Sequence, residues 1–417
     1  MNTYKIKSFF FIALAGFYFS TAYSQVPGCT DPLANNFNAS ATVNDGSCTY
    51  NSTAYTPPLK VDPTNTILAE SSGLQWAGNS LWTFNDSGGD PAIYRIDTLT
   101  NTILQKVSMQ GASNIDWEDI SFDGTYFYIG DFGNNSNGAR TNLKIYKFPF
   151  VAIPDPVGNP DVTIPAAQIS IINFTYSDQP QPPVASGANN TKFDCEAMIV
   201  DSSKIHLFTK NWIDLNSTHY VINGVEAGTY IATPLETLAT NFLVTGADKA
   251  VGNKVVALLG YQVTGTANHF MFLLSGFTGG YYFNGNKRRI DLPNVLVMGQ
   301  AEGICFKNGN YGYISNERFV QGPFTITQKL RSFDIRNFVS NLHTAYIFNG
   351  NGNWNVAANW SDLAMPPATL PTNSLIFVDP LPGGSCNLNI PYTITNGSSI
   401  VLHEGKQFVI EGDCLLQ

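Results

Sequence analysis

The stretch Asn114-Ile115-Asp116-Trp117-Glu118-Asp119-Ile120-Ser121 decides the fold, because an apolar run at 126–129 follows it and the whole phrase recurs in weaker copies. Aligning one polar position in each copy gives spacings of roughly fifty residues, near the period of a β-propeller blade. The second interval is longer and contains a proline-rich segment, 153–183, which we interpret as an insertion. The aligned positions are Ser72, Glu118, Glu196, Asp248 and Glu302.

Each copy is followed by short apolar or alternating runs separated by turn residues, which is the pattern of short β-strands. Three strands are readable in every copy and a fourth in most. Four-stranded units repeated around an axis predict an all-β protein, a β-propeller with five blades, or six if the insertion holds one. The alternative is a β-sandwich or two stacked sheets. The predicted first strands lie at 73–76, 120–122, 197–200, 249–251 and 303–306.

The composition suits an extracellular β protein with an uncharged polar surface. Charged residues make up 13% of the chain, against roughly 25% in an average soluble protein. The formal net charge of -9 argues against a nucleic acid or an anionic membrane as the partner. The partner is therefore expected to be an extracellular ligand, either carbohydrate or protein.

The first 24 residues have the pattern of a secretory signal peptide. Lys5 and Lys7 precede an apolar run at 9–19, and Ala22-Tyr23-Ser24 suits cleavage before Gln25. The apolar run is too short for a membrane anchor, and no later segment has the length and apolarity of a transmembrane helix. We therefore expect a secreted protein, extracellular or at the cell surface.

The six cysteines are expected to serve structure rather than catalysis. Cys29 and Cys48 bracket a short polar segment and are predicted to form a disulfide, which an oxidising compartment permits. Cys386 and Cys414 share the C-terminal region and are predicted to pair as well. Cys195 and Cys305 lie inside the recurring motif and are interpreted as small buried apolar residues.

Residues 25–50 resemble a module of secreted Bacteroidota proteins with the form CTDPxAxNYNPxAxxDDGSC. The match runs from Cys29-Thr30-Asp31-Pro32 to Asp45-Gly46-Ser47-Cys48, with Phe37, Ala39 and Asn44 as the departures. Its Asp and Asn side chains offer oxygen ligands for calcium. They also suit turn caps in a disulfide-closed loop. The sequence does not decide between calcium ligands and turn caps.

The remaining boundaries follow from composition. Residues 51–64 are rich in Pro, Thr and Asn and are predicted to be a linker, so the propeller is assigned to 65–343. From 344 to 417 the chain resembles β-rich modules that follow "GNWNxxANWS" phrases in bacterial surface proteins. Glycine-punctuated strands there suit a β-solenoid or a small sandwich, and the module is expected to be partial.

In a propeller the first strand of each blade lines the central channel and begins at the face that carries the loops between second and third strands. Asp116 and Glu118 lie two residues apart and share one face of that strand, as do Asp194 and Glu196. The ends of the second strands reach the same mouth. They bring Asp86, Asp131, Asn135, Lys210, Glu317 and Arg318 there. The principal candidates for the channel mouth are Asp116, Glu118, Asp131, Asn134, Asp194, Glu196, Asp248, Glu302 and Asn316.

Carboxylates that converge on one axis repel each other unless a cation, protonation or a basic side chain neutralises them. Calcium prefers such oxygen ligands. The arrangement is similar to that of calcium-dependent phosphotriesterase and lactonase propellers, which implies a calcium ion held by Glu118, Glu196 and Glu302. The phrase Glu70-Ser71-Ser72-Gly73-Leu74 also resembles the openings of units in SdiA-regulated and NHL-like propellers.

Three functional readings follow from the sequence. The first is a secreted or cell-surface propeller that acts as a binding or interaction protein, with calcium in its channel. The second is a calcium-dependent hydrolase of esters, lactones or phosphoesters, carried by Asp116, Glu118, Asp131, Glu196 and Glu302. In the third, the acids bond backbone amides at blade junctions and only shape the fold. The motifs GxSxG, GxxxxGK[ST] and HExxH do not occur, so catalysis stays undecided.

Overall fold

A computed structural model describes residues 25–100, 102–263, 267–340, 342, 344–361, 365–372, 374–403 and 405–416. The signal peptide predicted for 1–24 lies outside these residues. Within the described residues, no helix is long and apolar enough to cross a membrane.

The central part of the chain is a five-bladed β-propeller. Antiparallel pairing builds each blade from four strands, and the fifth blade takes its outer strand from the N-terminal side. The strands of blade one are Ser71–Ala77, Ser80–Asn85, Ala92–Ile96 and Ile103–Met109. Those of blade two are Trp117–Phe122, Tyr126–Asp131, Lys144–Pro149 and Ser170–Tyr176. Those of blade three are Cys195–Asp201, Lys204–Thr209, Ser217–Ile222 and Gly228–Leu238.

Blades four and five complete the ring. The strands of blade four are Leu243–Lys249, Val255–Tyr261, Asn268–Ser275 and Asn286–Asn294, and those of blade five are Gln300–Phe306, Tyr311–Glu317, Lys329–Asp334 and Leu59–Val61. Leu59–Val61 pairs antiparallel with Lys329–Asp334, so the start of the chain closes the ring on its end. The propeller therefore begins within the segment predicted to be a linker.

The core consists of five apolar clusters, one between each pair of neighbouring blades. Each first strand packs against the first strand of the next blade, and that of blade five packs against that of blade one. This closed ring is the reason for the fold's stability, because blade faces rich in Phe, Tyr, Trp and Ile are buried only when both neighbours are present. The alternative of a sandwich is wrong.

The insertion between blades two and three does not form a sixth blade. Its strand Asp161–Ile164 pairs parallel with the outer strand of blade one. Its strand Ser170–Tyr176 is the outer strand of blade two and pairs parallel with the outer strand of blade three, Gly228–Leu238. The insertion thus ties three blades together along the outside of the ring.

Every first strand carries a register shift at the same level of the channel, between residues 71 and 74, 117 and 119, 195 and 197, 244 and 246, and 301 and 304. Such β-bulges re-aim side chains and concentrate next to functional sites. The bulges place Ser72, Glu118, Glu196 and Glu302 in equivalent positions, as the sequence alignment predicts. In blade four the equivalent residue is Thr245, so the alignment of Asp248 is wrong by three residues, and the first strand there is Leu243–Lys249 rather than 249–251.

Short elements decorate the propeller. A helical turn, Val295–Met298, precedes the first strand of blade five, and the hairpin Phe319–Gln321 and Phe324–Ile326 lies between its second and third strands. The 3-10 helices are Thr66–Leu68, Phe150–Ala152, Ala166–Gln168, Tyr282–Asn284 and Ala357–Asn359.

The N-terminal module is a disulfide-closed loop with the parallel strand pair Pro27–Gly28 and Val43–Asn44. The predicted Cys29–Cys48 disulfide is present. Asp31 Oδ1 accepts the Leu33 amide at 2.9 Å and Asp45 Oδ1 accepts the Ser47 amide at 3.0 Å. These contacts favour the turn-cap reading of the module's acids over the calcium reading.

The C-terminal module is a parallel β-solenoid with three sheets of three strands. Its strands are Thr344–Phe348, Ser374–Val378 and Ser399–Leu402; Gly352–Asn353, Ser385–Leu388 and Gln407–Ile410; and Thr369–Leu370, Tyr392–Ile394 and Cys414–Leu416. Cys386 and Cys414 lie on different sheets and both are free thiols, so the predicted second disulfide is wrong. Cys195 and Cys305 are buried thiols, as expected.

Candidate functional site at the channel mouth

A polar cavity of about 290 Å³ opens at the end of the channel where the first strands begin. Five carboxylates, three of them from bulges, face it together with one lysine and two aromatic residues. Its lining comprises Ser72, Asp86, Glu118, Asn135, Asn189, Glu196, Lys210, Trp212, Tyr261, Gln300, Glu302 and Glu317. The structure thus brings together the three acids predicted to converge there, Glu118, Glu196 and Glu302.

On the side of blades one and two, three acids form a compact group. One carboxylate oxygen from each of Asp86, Asp116 and Glu118 lies within 4.8 Å of the others. Glu118 is only 4% exposed, and its carboxylate has no hydrogen-bond partner among the described residues. A buried carboxylate without a partner is costly unless it is protonated or bound to a cation.

Gly133 leaves the space that this group needs. A Cβ atom at Gly133 would lie 2.0 Å from Glu118 Oε1 and 2.5 Å from Asp116 Oδ2. Any residue larger than glycine at this position would force both acids to move. The sequence Asp131-Phe132-Gly133 therefore serves the site through the close approach of its backbone.

On the side of blade five, Glu302 and Glu317 are bridged by an amide. Gln300 Nε2 donates to Glu302 Oε1 at 2.7 Å and to Glu317 Oε2 at 3.3 Å. One amide group neutralises neither charge, so this pair remains acidic.

Between the two groups, Glu196 is already paired. Lys210 Nζ donates to both of its carboxylate oxygens, at 2.6 and 2.5 Å. The ammonium group lies 5.2 Å from the ring centroids of both Trp212 and Tyr261. Lys210 already supplies a counterion to Glu196, so a calcium ion there would share the carboxylate with the ammonium group, and Glu196 as a calcium ligand stays a prediction.

Burial and mutual repulsion raise the pKa of the mouth acids. Burial is the largest cause throughout, and it raises the pKa of Asp86 to about 6, of Asp116 to about 7 and of Glu302 to about 7. The pKa values of Glu118 and Glu317 lie well above the usual range, since neighbouring carboxylates add to the effect of burial. These carboxyl groups therefore hold protons more readily than carboxyl groups in water.

Several residues predicted for the mouth do not line the cavity but bond to the loops that carry the lining residues. Asp194 accepts hydrogen bonds from the Asn134 amide at 2.7 Å and from Trp212 Nε1 at 2.7 Å. Asp131 accepts from Arg140 Nη2 at 2.7 Å. Asn316 Nδ2 donates to the carbonyl groups of Glu317 at 2.7 Å and of Thr327 at 3.0 Å. These residues are buried and shape the loops that carry the lining acids.

Asp248 is not at this mouth. Its carboxylate accepts the Phe306 amide at 2.7 Å and joins blade four to blade five. It lines a different cavity, of about 960 Å³, which lies between the opposite end of the channel and the C-terminal module. For Asp248 and Asp194, the structural reading of the acids as partners of backbone amides is correct.

Sequence reasoning placed Asp86, Lys210 and Glu317 near the mouth but left them out of the principal candidates, and it missed Gln300, Trp212 and Tyr261. Tyr261 ends the second strand of blade four, so the rule that located Glu317 also identifies it. Nothing in the sequence marks Gln300 or Trp212, whose roles depend on side-chain direction.

Comparisons with known proteins give low similarity. No protein-family model matches the sequence, and a search of curated protein sequences found no match. Among solved structures, the PQQ-bound aldose sugar dehydrogenase from Streptomyces coelicolor is 12% identical, covers 67% of this chain and 100% of its own, and has a TM-score of 0.36. The WD40 repeats of RRP9 are 9% identical and have a TM-score of 0.32, and the match covers 62% of this chain and 78% of the RRP9 chain. A tail fibre of Staphylococcus aureus phage P68 is 12% identical and has a TM-score of 0.34, and the match covers 67% of this chain and 52% of the tail-fibre chain. At these values the assignment of a propeller rests on the strand pairing described above.

Proposed function

We propose that this protein is an exported binding protein whose channel mouth holds a calcium ion between Asp86, Asp116 and Glu118. The observation that carries the proposal is Glu118, a residue only 4% exposed, whose carboxylate lines the mouth cavity and has no hydrogen-bond partner among the described residues. It faces two further acids whose oxygens lie within 4.8 Å.

The donor set suits a hard divalent cation. Calcium takes six to eight oxygen ligands at about 2.3–2.6 Å and tolerates irregular geometry. Three carboxylates supply part of that shell and carry the charge. The nearest lysine is committed to Glu196, and Arg140 lies 3.9 Å from Asp116 while it binds Asp131 at 2.7 Å. Basic side chains therefore leave most of the negative charge of this group without a counterion.

Two features support export. The first 24 residues have the composition of a signal peptide, and a disulfide closes the N-terminal module. The resemblance of that module to secreted Bacteroidota proteins agrees with a location outside the cell or at its surface. Extracellular fluids also supply calcium at concentrations that sites of moderate affinity require.

Calorimetric titration of the full chain with calcium chloride at about pH 8 tests the proposal. We expect one site, lost or weakened at least about a hundredfold in Glu118→Gln. Asp161→Asn is the matched control, because Asp161 is exposed and far from the mouth. Equal heats in wild type and Glu118→Gln, or no heats in either, would reject calcium at this position.

A calcium-dependent hydrolase is the second candidate, because the pKa of Glu302, about 7, suits a general base at neutral pH. In this reading Glu302 accepts a proton from water in the mouth. A screen of ester, lactone and phosphoester substrates with calcium present tests it. Turnover that Glu302→Gln reduces at least about a hundredfold supports the hydrolase, and turnover unaffected by Glu302→Gln rejects Glu302 as the base.

A further inference from the structure

An apolar ledge adjoins the acidic mouth on the side of blade five. It consists of Ile67, Leu296, Val297, Val320 and Phe324, which are 54%, 50%, 46%, 55% and 58% exposed. All five lie on connections that leave or enter the strand ends at the mouth. Exposed apolar side chains that occur singly are common, but a group of this kind marks an interaction surface.

The three segments of the ledge are held together by defined contacts. The helical turn Val295–Met298 packs against the strand Phe324–Ile326. Gln328, which follows that hairpin, donates through Nε2 to the carbonyl oxygens of Thr64 at 3.1 Å and of Asn65 at 3.3 Å, directly before the turn that carries Ile67. The ledge is thus a fixed surface rather than three independent loops.

The ledge meets the mouth at Glu317. This residue ends the second strand of blade five, and the hairpin that carries Val320 and Phe324 begins two residues later. The side chain of Glu317 lines the mouth cavity together with Glu302. Apolar and acidic surfaces are therefore continuous on blade five.

The charge of the mouth is not balanced by a single calcium ion. With calcium at Asp86, Asp116 and Glu118, and with Lys210 bound to Glu196, the carboxylates of Glu302 and Glu317 are bridged by the neutral amide of Gln300 and form no ion pair among the described residues. Arg318 is exposed and forms no ion pair among the described residues. A monovalent organic cation that enters from the ledge complements this pair, whereas an anionic ligand is repelled.

We propose that this face binds a segment of a partner protein in which a lysine or arginine is flanked by apolar residues. The basic side chain enters the mouth and pairs with Glu302 and Glu317, and the apolar flanks cover Leu296, Val297, Val320 and Phe324. This proposal rests on the proposed function in one respect, that the channel mouth is the ligand site. It does not depend on calcium, because the basic side chain and the calcium ion contact different acids.

The experiment is selection from a phage-displayed library of random dodecamer peptides on the immobilised full chain, with calcium and again with chelator. We expect enrichment of sequences with Lys or Arg between apolar residues. The affinity of a selected peptide should fall about tenfold in Glu317→Gln and in Phe324→Ser. It should not change in Leu99→Ser, a control at a residue that is 78% exposed on the opposite face.

Selected peptides without enriched basic residues, or affinities that neither variant lowers, would overturn the proposal. Self-association in sedimentation that Phe324→Ser abolishes would also overturn it, because the occupant would then be a second copy of this chain. Calcium titration of Glu317→Gln and Phe324→Ser separates the two ideas. Wild-type calcium heats in both variants would show that their lost peptide binding does not come from loss of the calcium site. A wild-type protein that binds a selected basic peptide but gives no calcium heats would reject the calcium proposal alone, and calcium heats without peptide binding would reject the peptide proposal alone.

Discussion

Lys210 Nζ lies 2.6 Å from Oε1 and 2.5 Å from Oε2 of Glu196, and the two side chains are 4% and 5% exposed. This buried ion pair divides the acids of the channel mouth into two groups. Asp86, Asp116 and Glu118 lie on one side of the mouth, and Glu302 with Glu317 lies on the other. The division explains why residues in equivalent bulges, Glu118 and Glu196, have different chemical roles.

Removing the carboxylate of Glu196 should destabilise the protein. Glu196→Gln leaves the ammonium group of Lys210 buried without its counterion, which costs about 3–5 kcal/mol. Urea unfolding followed by tryptophan fluorescence measures the change, with Asp161→Asn as control. A free energy of unfolding equal to that of the control would show that the pair contributes nothing.

Replacing Glu118 should have the opposite effect when no cation is bound. Glu118→Gln removes a buried, unpartnered charge, so we expect the variant to unfold at a higher temperature than wild type in chelator at about pH 8. Added calcium should stabilise wild type by mass action and leave the variant unchanged. Thermal unfolding with and without calcium checks both statements, and equal calcium stabilisation of the two proteins would contradict them.

The stability of the cation-free protein should fall as the pH rises. Asp86, Asp116 and Glu302 have folded-state pKa values of about 6, 7 and 7, above the values of 3.8, 3.8 and 4.5 expected in the unfolded chain. Between about pH 4 and 7 the folded state therefore binds more protons than the unfolded state, and the free energy of unfolding decreases with pH.

We expect the unfolding temperature in chelator to drop by at least about 5 °C between pH 5 and pH 8. Saturating calcium should weaken or reverse this trend, because the cation replaces the protons. An unfolding temperature in chelator that is constant or rises over this range would show that these carboxyls are not perturbed.

Gly133→Ala should abolish cation binding. The added methyl group would lie 2.0 Å from Glu118 Oε1, so the acids must move apart, at a cost of about 1–3 kcal/mol in stability. Gly89→Ala is the matched control, because its nearest neighbour would be at 3.6 Å, an ordinary contact, on a loop beside the same mouth. Calcium titration of both variants decides the matter, and retained affinity in Gly133→Ala would place the cation elsewhere.

Asp119 should matter for stability and not for binding. Its carboxylate accepts the amide of Met198 at 2.7 Å and that of Ile120 at 2.8 Å, which joins blade two to blade three. Asp119→Ala leaves the buried Met198 amide without a partner, and we expect a loss of about 2–4 kcal/mol. Urea unfolding of this variant beside Asp161→Ala tests the value. A loss no larger than that of the control would deny Asp119 this role.

The five blades were predictable because four first strands share a local sequence at the bulge. An acid or serine is followed by one further residue, Gly, Ala or Asp, and then by an apolar residue. In blade four the bulge residue is Thr245, whose hydroxyl donates to the Ala301 carbonyl at 3.0 Å. Ser72 likewise donates to a carbonyl of the next blade, that of Glu118, at 2.7 Å. A hydroxyl can therefore fill the position, and a search for acids moved the alignment to Asp248.

Other features depend on contacts that are distant in sequence. Leu59–Val61 is too short and too polar in its surroundings to read as a strand, yet it completes blade five. The pairing of Glu196 with Lys210 links residues on two different strands, and spacing alone does not reveal which acid the lysine selects. The group of Asp86 with Asp116 and Glu118 forms across two blades, so it shares only Glu118 with the calcium ligands predicted from the sequence.

Anomalous diffraction from crystals of the full chain soaked in terbium chloride, with calcium as competitor, tests the central claim most directly. We predict a peak about 2.3–2.6 Å from oxygens of Asp86, Asp116 and Glu118, which calcium displaces and which is missing in Glu118→Gln. A map with no peak at the channel mouth, or with peaks only at the N-terminal module, would contradict the account.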